Sequence, residues 1–262
     1  MFTNNPFAGI PASIEPGVPE AFVIAMAVLV FAGTLFDVVH KRSARYFFGN
    51  WRQARNRGSK RIGGGEMASL AVRTLCSEVL ASGEFCSTRR RIAHLLTMYG
   101  FLAHVIASAL LVLGYPGSVG TAPAVLPWAW HIGALMVCIG GYWFWFFIRA
   151  DVVAEGNSPF RIVRADLFVL SLLASATAGL IWSLLQTAGA TVGTTLCFGL
   201  YVIANTVLFG SVPWSKFAHM FFKPTAAFGK RVADANGSRN GLPAPADKPE
   251  VFGSARRLPR SF

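Results

Sequence analysis

Charge is what this sequence has least of. Only 14% of its 262 residues are Asp, Glu, Lys or Arg, where a water-soluble domain carries roughly a quarter. That is too little polar surface to cover a soluble globule, and a 53% hydrophobic composition excludes a disordered chain. The four cysteines, Cys76, Cys86, Cys138 and Cys197, form no C-x-x-C pair and no Cys/His pair at zinc-finger spacing. They support neither a disulfide framework nor an iron–sulfur cluster held by this chain, and Cys76 and Cys86 read as free thiols. The Gly63–Gly65 run lacks the lysine and hydroxyl residue of a phosphate loop. There is no dinucleotide fingerprint, no Ser/His/Asp constellation and no internal repeat.

Apolar length is what the chain has instead. A helix needs about 20 mostly apolar residues to span a bilayer. Five stretches qualify, roughly Ala21–Val39, Ile92–Gly114, Ala124–Ile148, Asp166–Gln186 and Thr191–Val212. The first has no basic flank or cleavage site ahead of it and reads as a retained helix. The expected fold is an all-α, integral-membrane five-helix bundle. Residues 1–20 form an external arm, 21–229 the membrane domain with its 41–91 loop, and 230–262 a flexible tail.

Basic residues assign the sides. Of 24 Lys and Arg, 12 fall in residues 41–91, 3 in 149–164 and 9 from Lys216 onward; the 1–20 arm, the 115–123 loop and the 187–190 turn hold none. By the positive-inside rule the N-terminus is outside and the C-terminus cytoplasmic, in a multi-pass protein of the cell inner membrane. The net charge of +12 then reports orientation and contact with lipid headgroups, with no nucleic acid implied. Residues 66–82, with Leu70, Val72, Leu75, Val79 and Leu80, suit a surface or interfacial helix.

Ionisable side chains in a membrane bundle mark candidate sites. His94 stands near the cytoplasmic start of the second span, and His104 is about 15 Å deeper. His219 follows the fifth span, at the level of His94. Two imidazoles on different helices suit bis-histidine ligation of a b-type haem, although single histidines at helix ends more often serve as interfacial hydrogen-bonding groups. His40 reads as such a helix-end residue, and His131, after Trp128 and Trp130, as part of an aromatic belt. Arg91 and Lys216 either contact headgroups or hold a haem propionate or a quinone carbonyl. Asp37 either relays protons or pairs with a basic neighbour. The Tyr142–Phe147 aromatic run either lines a cleft or faces lipid.

The strings Arg89-Arg-Arg-Ile-Ala-His94 with Met98-Tyr-Gly-Phe101, and Pro213-Trp-Ser-Lys-Phe-Ala-His219 with Lys223-Pro224, resemble the cytochrome b membrane subunits related to the gamma subunit of respiratory nitrate reductase. Within that group the chain is most similar to the membrane anchors of dissimilatory adenylylsulfate reductase. The resemblance covers about residues 20–230. It implies that His94 and His219 hold haem iron on the cytoplasmic side, and that His104 faces a deeper haem. The family's fourth histidine is here Tyr201, whose phenolate can bind ferric iron but is costly in hydrocarbon without a cation nearby. One haem b is expected and two are conceivable, the ligand opposite His104 being Tyr201 or a residue such as His131. The implied partners are a cytoplasmic iron–sulfur/flavin enzyme of sulfur metabolism, adenylylsulfate reductase by resemblance, and quinone as electron acceptor. No residue catalytic for sulfur chemistry is expected. The alternatives are a haem-free structural anchor and, more remotely, a small transporter.

Overall fold

In a computed structural model of the chain, the described residues are 2–10, 14–15, 17–40, 45, 48–49, 51–52, 56–83, 85, 87–117, 122–149, 156, 158, 161–213 and 219–238. Seven helices are present among them: α1 (Val18–His40), α2 (Gly64–Thr74), α3 (Thr88–Gly114), α4 (Val125–Trp143), α5 (Leu167–Thr187), α6 (Thr191–Gly210) and α7 (His219–Ala235). No strand occurs among the described residues. Five helices, α1, α3, α4 with its continuation to Ile148, α5 and α6, are long and apolar enough to cross a membrane, within a few residues of the stretches expected from hydropathy. The chain divides into two compact units, Met1–Val38 with Arg89–Ala218, and Val39–Thr88 with His219–Phe262.

The first unit is built inside out relative to a soluble domain. Phe31 and Phe147 are 72% and 82% exposed, and Ile139, Leu184 and Leu200 also face outward. Water would not tolerate so continuous an apolar exterior, whereas acyl chains solvate it. Small residues and hydroxyls take the interior instead. Several Ser and Thr side chains satisfy themselves within their own helices: Thr97 donates to Ala93 O (2.9 Å), Ser108 to His104 O (2.7 Å) and Ser171 to Leu167 O (2.6 Å). The central helix is α5, half of whose span is buried against 11% of α1. A three-residue turn joins α5 to α6, and Gly189 supplies its left-handed conformation (φ 74°).

Helices α3 and α4 meet along a seam of small residues. Ala93, Gly100 and Ala107 recur at seven-residue spacing on α3 and are all buried. Opposite them, a Cβ on Gly133 would lie 2.7 Å from Gly100 O and His104 N, and one on Gly140 2.6 Å from Ala93 O. Lipid tails are as apolar as leucine, so helices associate here through backbone approach and van der Waals packing. Further across the bundle, the Phe101 ring of α3 packs on Phe168 of α5 (6.4 Å) and Phe209 of α6 (6.5 Å). Helix α1 rests its Gly33 against Val212 and Pro213.

The second unit holds α2 and α7. Helix α2 continues as a π-helical turn, Leu75–Leu80, from which Glu78 and Ser77 receive the Arg231 guanidinium of α7 (2.6 and 2.7 Å). Asn236 closes the end of α7: its carbonyl accepts from the Lys60 amide (3.2 Å) and the Ser59 hydroxyl (3.3 Å), and its side-chain oxygen from the Ser238 amide (2.8 Å). The expected boundary at 229/230 therefore falls inside a helix. The chain beyond Lys230 stays helical to Ala235 because these tertiary bonds hold it; residues 239–262 lie outside the described residues.

Candidate functional site

The densest polar arrangement in the bundle surrounds His104. The chain brings it there through α3, where His104 and Ser108 are one helical turn apart on the face toward α4 and α6. His104 is buried, and its Nδ1 lies 3.0 Å from Trp130 O. A carbonyl only accepts, so the ring carries its proton on Nδ1 and turns the Nε2 lone pair toward the Tyr201 hydroxyl, 3.5 Å away. Ser108 Oγ, whose single proton goes to His104 O, accepts from Trp130 Nε1 at 2.9 Å and lies 3.4 Å from Tyr201 Oη. Four side chains from α3, α4 and α6 thus gather in one polar cluster within hydrocarbon, where each unmade bond would cost several kcal/mol.

Aromatic walls surround this cluster. Trp130 packs on the His104 imidazole (4.7 Å), and Trp182 of α5 packs on Tyr201 (5.6 Å) and Phe198 (4.9 Å). Gly179 lets both rings approach, since a Cβ there would sit 3.2 Å from each of Trp130 and Tyr201. The last wall comes from the N-terminal arm. A 3-10 turn, Pro6–Gly9, inserts Phe7 against Trp182 (5.5 Å), Trp130 (6.0 Å) and Tyr201 (6.4 Å). Gln186 Nε2 anchors the arm by donating to Pro6 O at 3.1 Å. A cleft of about 290 Å³ lies beside it, with Asn5, Pro127 and Gln186 among its lining residues.

A porphyrin between His104 and Tyr201 does not fit this packing. The lone pair an iron would take already meets a hydroxyl, and Trp130, Trp182 and Phe7 occupy the surrounding volume. His131 offers no substitute ligand. It is fully buried, not an interfacial belt residue; its Nδ1 donates to Pro127 O (2.7 Å) and its Nε2 accepts from Ser183 Oγ (2.8 Å). Both nitrogens are used, Nδ1 within α4 and Nε2 in bridging α4 to α5.

The other expected residues are placed as follows. His94 is half-buried in the second turn of α3, and Arg91 is exposed in its first turn. His219 is the first residue of α7 and belongs to the other unit. Lys216 and Cys86 lie outside the described residues. His40 ends α1 exposed, whereas Asp37 is buried. Among the described residues no group of three or more His, Cys, Asp or Glu is placed to hold a metal ion.

Sequence reasoning missed Trp130, Ser108, Trp182 and Phe7. The only available signal was the Trp130–His131 pair beside a proline; nothing in residues 1–20 marks Phe7 as an inserted wedge. It also missed the join between α4 and α5. Arg149 pairs with Asp166, donates to Arg161 O (2.6 Å) and lies 4.0 Å over the Trp145 ring, while the Val163 amide donates to Asp166 (2.9 Å). The Arg149 and Asp166 side chains are only 7% and 15% exposed. An arginine closing an aromatic run and an aspartate opening the next span were the legible hint.

Fold and composition together define a class, the multi-pass α-helical membrane protein with five candidate spans. No family model, curated protein or solved structure matches the chain.

Proposed function

We propose that this chain is the membrane anchor and electron-transfer subunit of a complex that connects a cytoplasmic iron–sulfur flavoenzyme to the quinone pool. The partner in this reading is adenylylsulfate reductase. On the partner, AMP and sulfite are joined to adenylylsulfate, and the two electrons released pass to quinone by way of this subunit. The complete segregation of Lys and Arg supports an outside N-terminus, a cytoplasmic C-terminus and residence in the cell inner membrane.

The observation that carries the reading is a pair of histidines near the starts of two helices, each after a basic, motif-like approach: His94 behind Arg89–Arg91 in α3, and His219 behind Pro213-Trp-Ser-Lys at the start of α7. Neutral imidazoles are the donors that a b-type haem takes on both faces, so the chemistry of this donor set suits the group. Bound there, a haem supplies one-electron transfer in a low-dielectric setting. The chain's own part is to present the two imidazoles and exclude water. Arg91 and Lys216 bring positive charge for propionates or a quinone carbonyl.

The tightly packed His104–Tyr201 cluster favours one haem over two. It equally supports the second reading, a haem-free anchor that recruits the enzyme through its basic face. A reduced-minus-oxidised spectrum of the purified full chain separates them. A b-type band lost in both His94→Ala and His219→Ala and kept in His104→Ala supports the single inner haem. No band in the wild type leaves only the anchor.

A further inference from the structure

We propose that α2 and the π-helical turn that continues it lie on the anionic lipid surface with Val72, Leu75 and Cys76 sunk into the headgroup–acyl boundary. The two faces of α2 differ in kind. One face is committed to its own unit: Thr74 is buried, and Ser77 and Glu78 receive Arg231. The opposite face carries Ala68, Ala71, Val72, Leu75 and Cys76, all exposed, with Val72 at 60% and Leu75 at 52%. Spacings of three and four residues align them in one stripe without a single charge. Exposed Arg73 flanks the stripe and exposed Arg61 precedes the helix.

Charge and connectivity select the occupant. Residues 41–91 contain 12 Lys and Arg against 3 Glu, which suits an anionic leaflet, each juxtamembrane cation adding to the attraction. The segment is also tied to the membrane on both sides, since α1 ends at His40 and α3 begins at Thr88. An amphipathic helix with an apolar stripe and basic borders, held beside a bilayer, binds in the plane of the interface. This inference stands whether or not the chain binds haem.

Cys76 allows a direct test. The full chain carrying Cys86→Ala, Cys138→Ala and Cys197→Ala is labelled at Cys76 with an environment-sensitive fluorophore. It is then reconstituted into nanodiscs of phosphatidylcholine, with or without phosphatidylglycerol and with doxyl-labelled lipid. Quenching at least about twofold stronger in anionic discs is expected, with a blue-shifted emission. Leu75→Glu abolishes the quenching, and because Leu75 is exposed the fold survives, which far-UV circular dichroism checks. Arg61→Gln with Arg73→Gln leaves quenching in place but reduces its dependence on anionic lipid. Weak quenching equal in both lipids overturns the proposal. So does a label that becomes shielded only when a soluble protein is added, which assigns the stripe to a protein partner.

Discussion

Replacing Gly140 by alanine adds one methyl group at the tightest point of the α3–α4 seam. That carbon would stand 2.6 Å from Ala93 O, 2.7 Å from Thr97 Oγ1 and 2.9 Å from Leu96 Cβ. The first contact is to backbone and lies about 0.8 Å inside the ordinary limit of 3.4 Å, so no side-chain rotation relieves it and the helices must part. Overpacking of this kind costs typically about 1–3 kcal/mol, roughly 2–4 °C of melting temperature per kcal/mol for a domain of this size. Gly199→Ala is the matched control. It makes the same change in another span where nothing lies within 4 Å, so helix propensity alone acts and stability holds or rises by up to about 1 kcal/mol. Melting of both variants in the same detergent, followed by tryptophan fluorescence, gives opposite signs if the seam is real. Equal melting temperatures for Gly140→Ala and wild type would refute the close approach of α3 and α4.

Other outcomes follow from the same contacts. Phe7→Ala removes the wedge between Trp130 and Trp182 and lets water reach the outer cluster, so tryptophan emission shifts to the red; an unchanged spectrum means that the arm does not seat there. A double-mutant cycle of His131→Ala and Ser183→Ala yields a coupling of about 0.6–1.7 kcal/mol, the range of interhelical hydrogen bonds in membranes, read from unfolding in mixed micelles; zero coupling removes the bridge. Arg149→Lys retains the charge but not the planar group over Trp145, and lowers the melting temperature; restoration of full stability by lysine shows that charge alone suffices. Tyr201→Phe removes the hydroxyl facing Nε2 of His104 and leaves a buried acceptor unmet, costing about 1–3 kcal/mol; a neutral result removes the Tyr201–His104 hydrogen bond.

The five spans were legible in the sequence because bilayer thickness sets a length that apolar runs either reach or miss. Candidate ionisable residues were legible too, since charge inside hydrocarbon is rare. Which of them touch was not. A helix apolar on all sides has no stripe to announce how it is rotated, so only the packed bundle could bring His104 to Tyr201 instead of another span, or turn both nitrogens of His131 onto Pro127 and Ser183. The same limit hid Phe7, whose place depends on a slot made by three distant helices. At Lys230 local composition, rich in Ala, Pro, Gly, Lys and Arg, argued for an extended tail, yet Arg231 finds Glu78 and Asn236 finds Ser59 and Lys60, and those long-range bonds decide for helix. Hydrophobic length is local and can be counted along the chain; rotation and register are relations between elements and exist only once the elements have met.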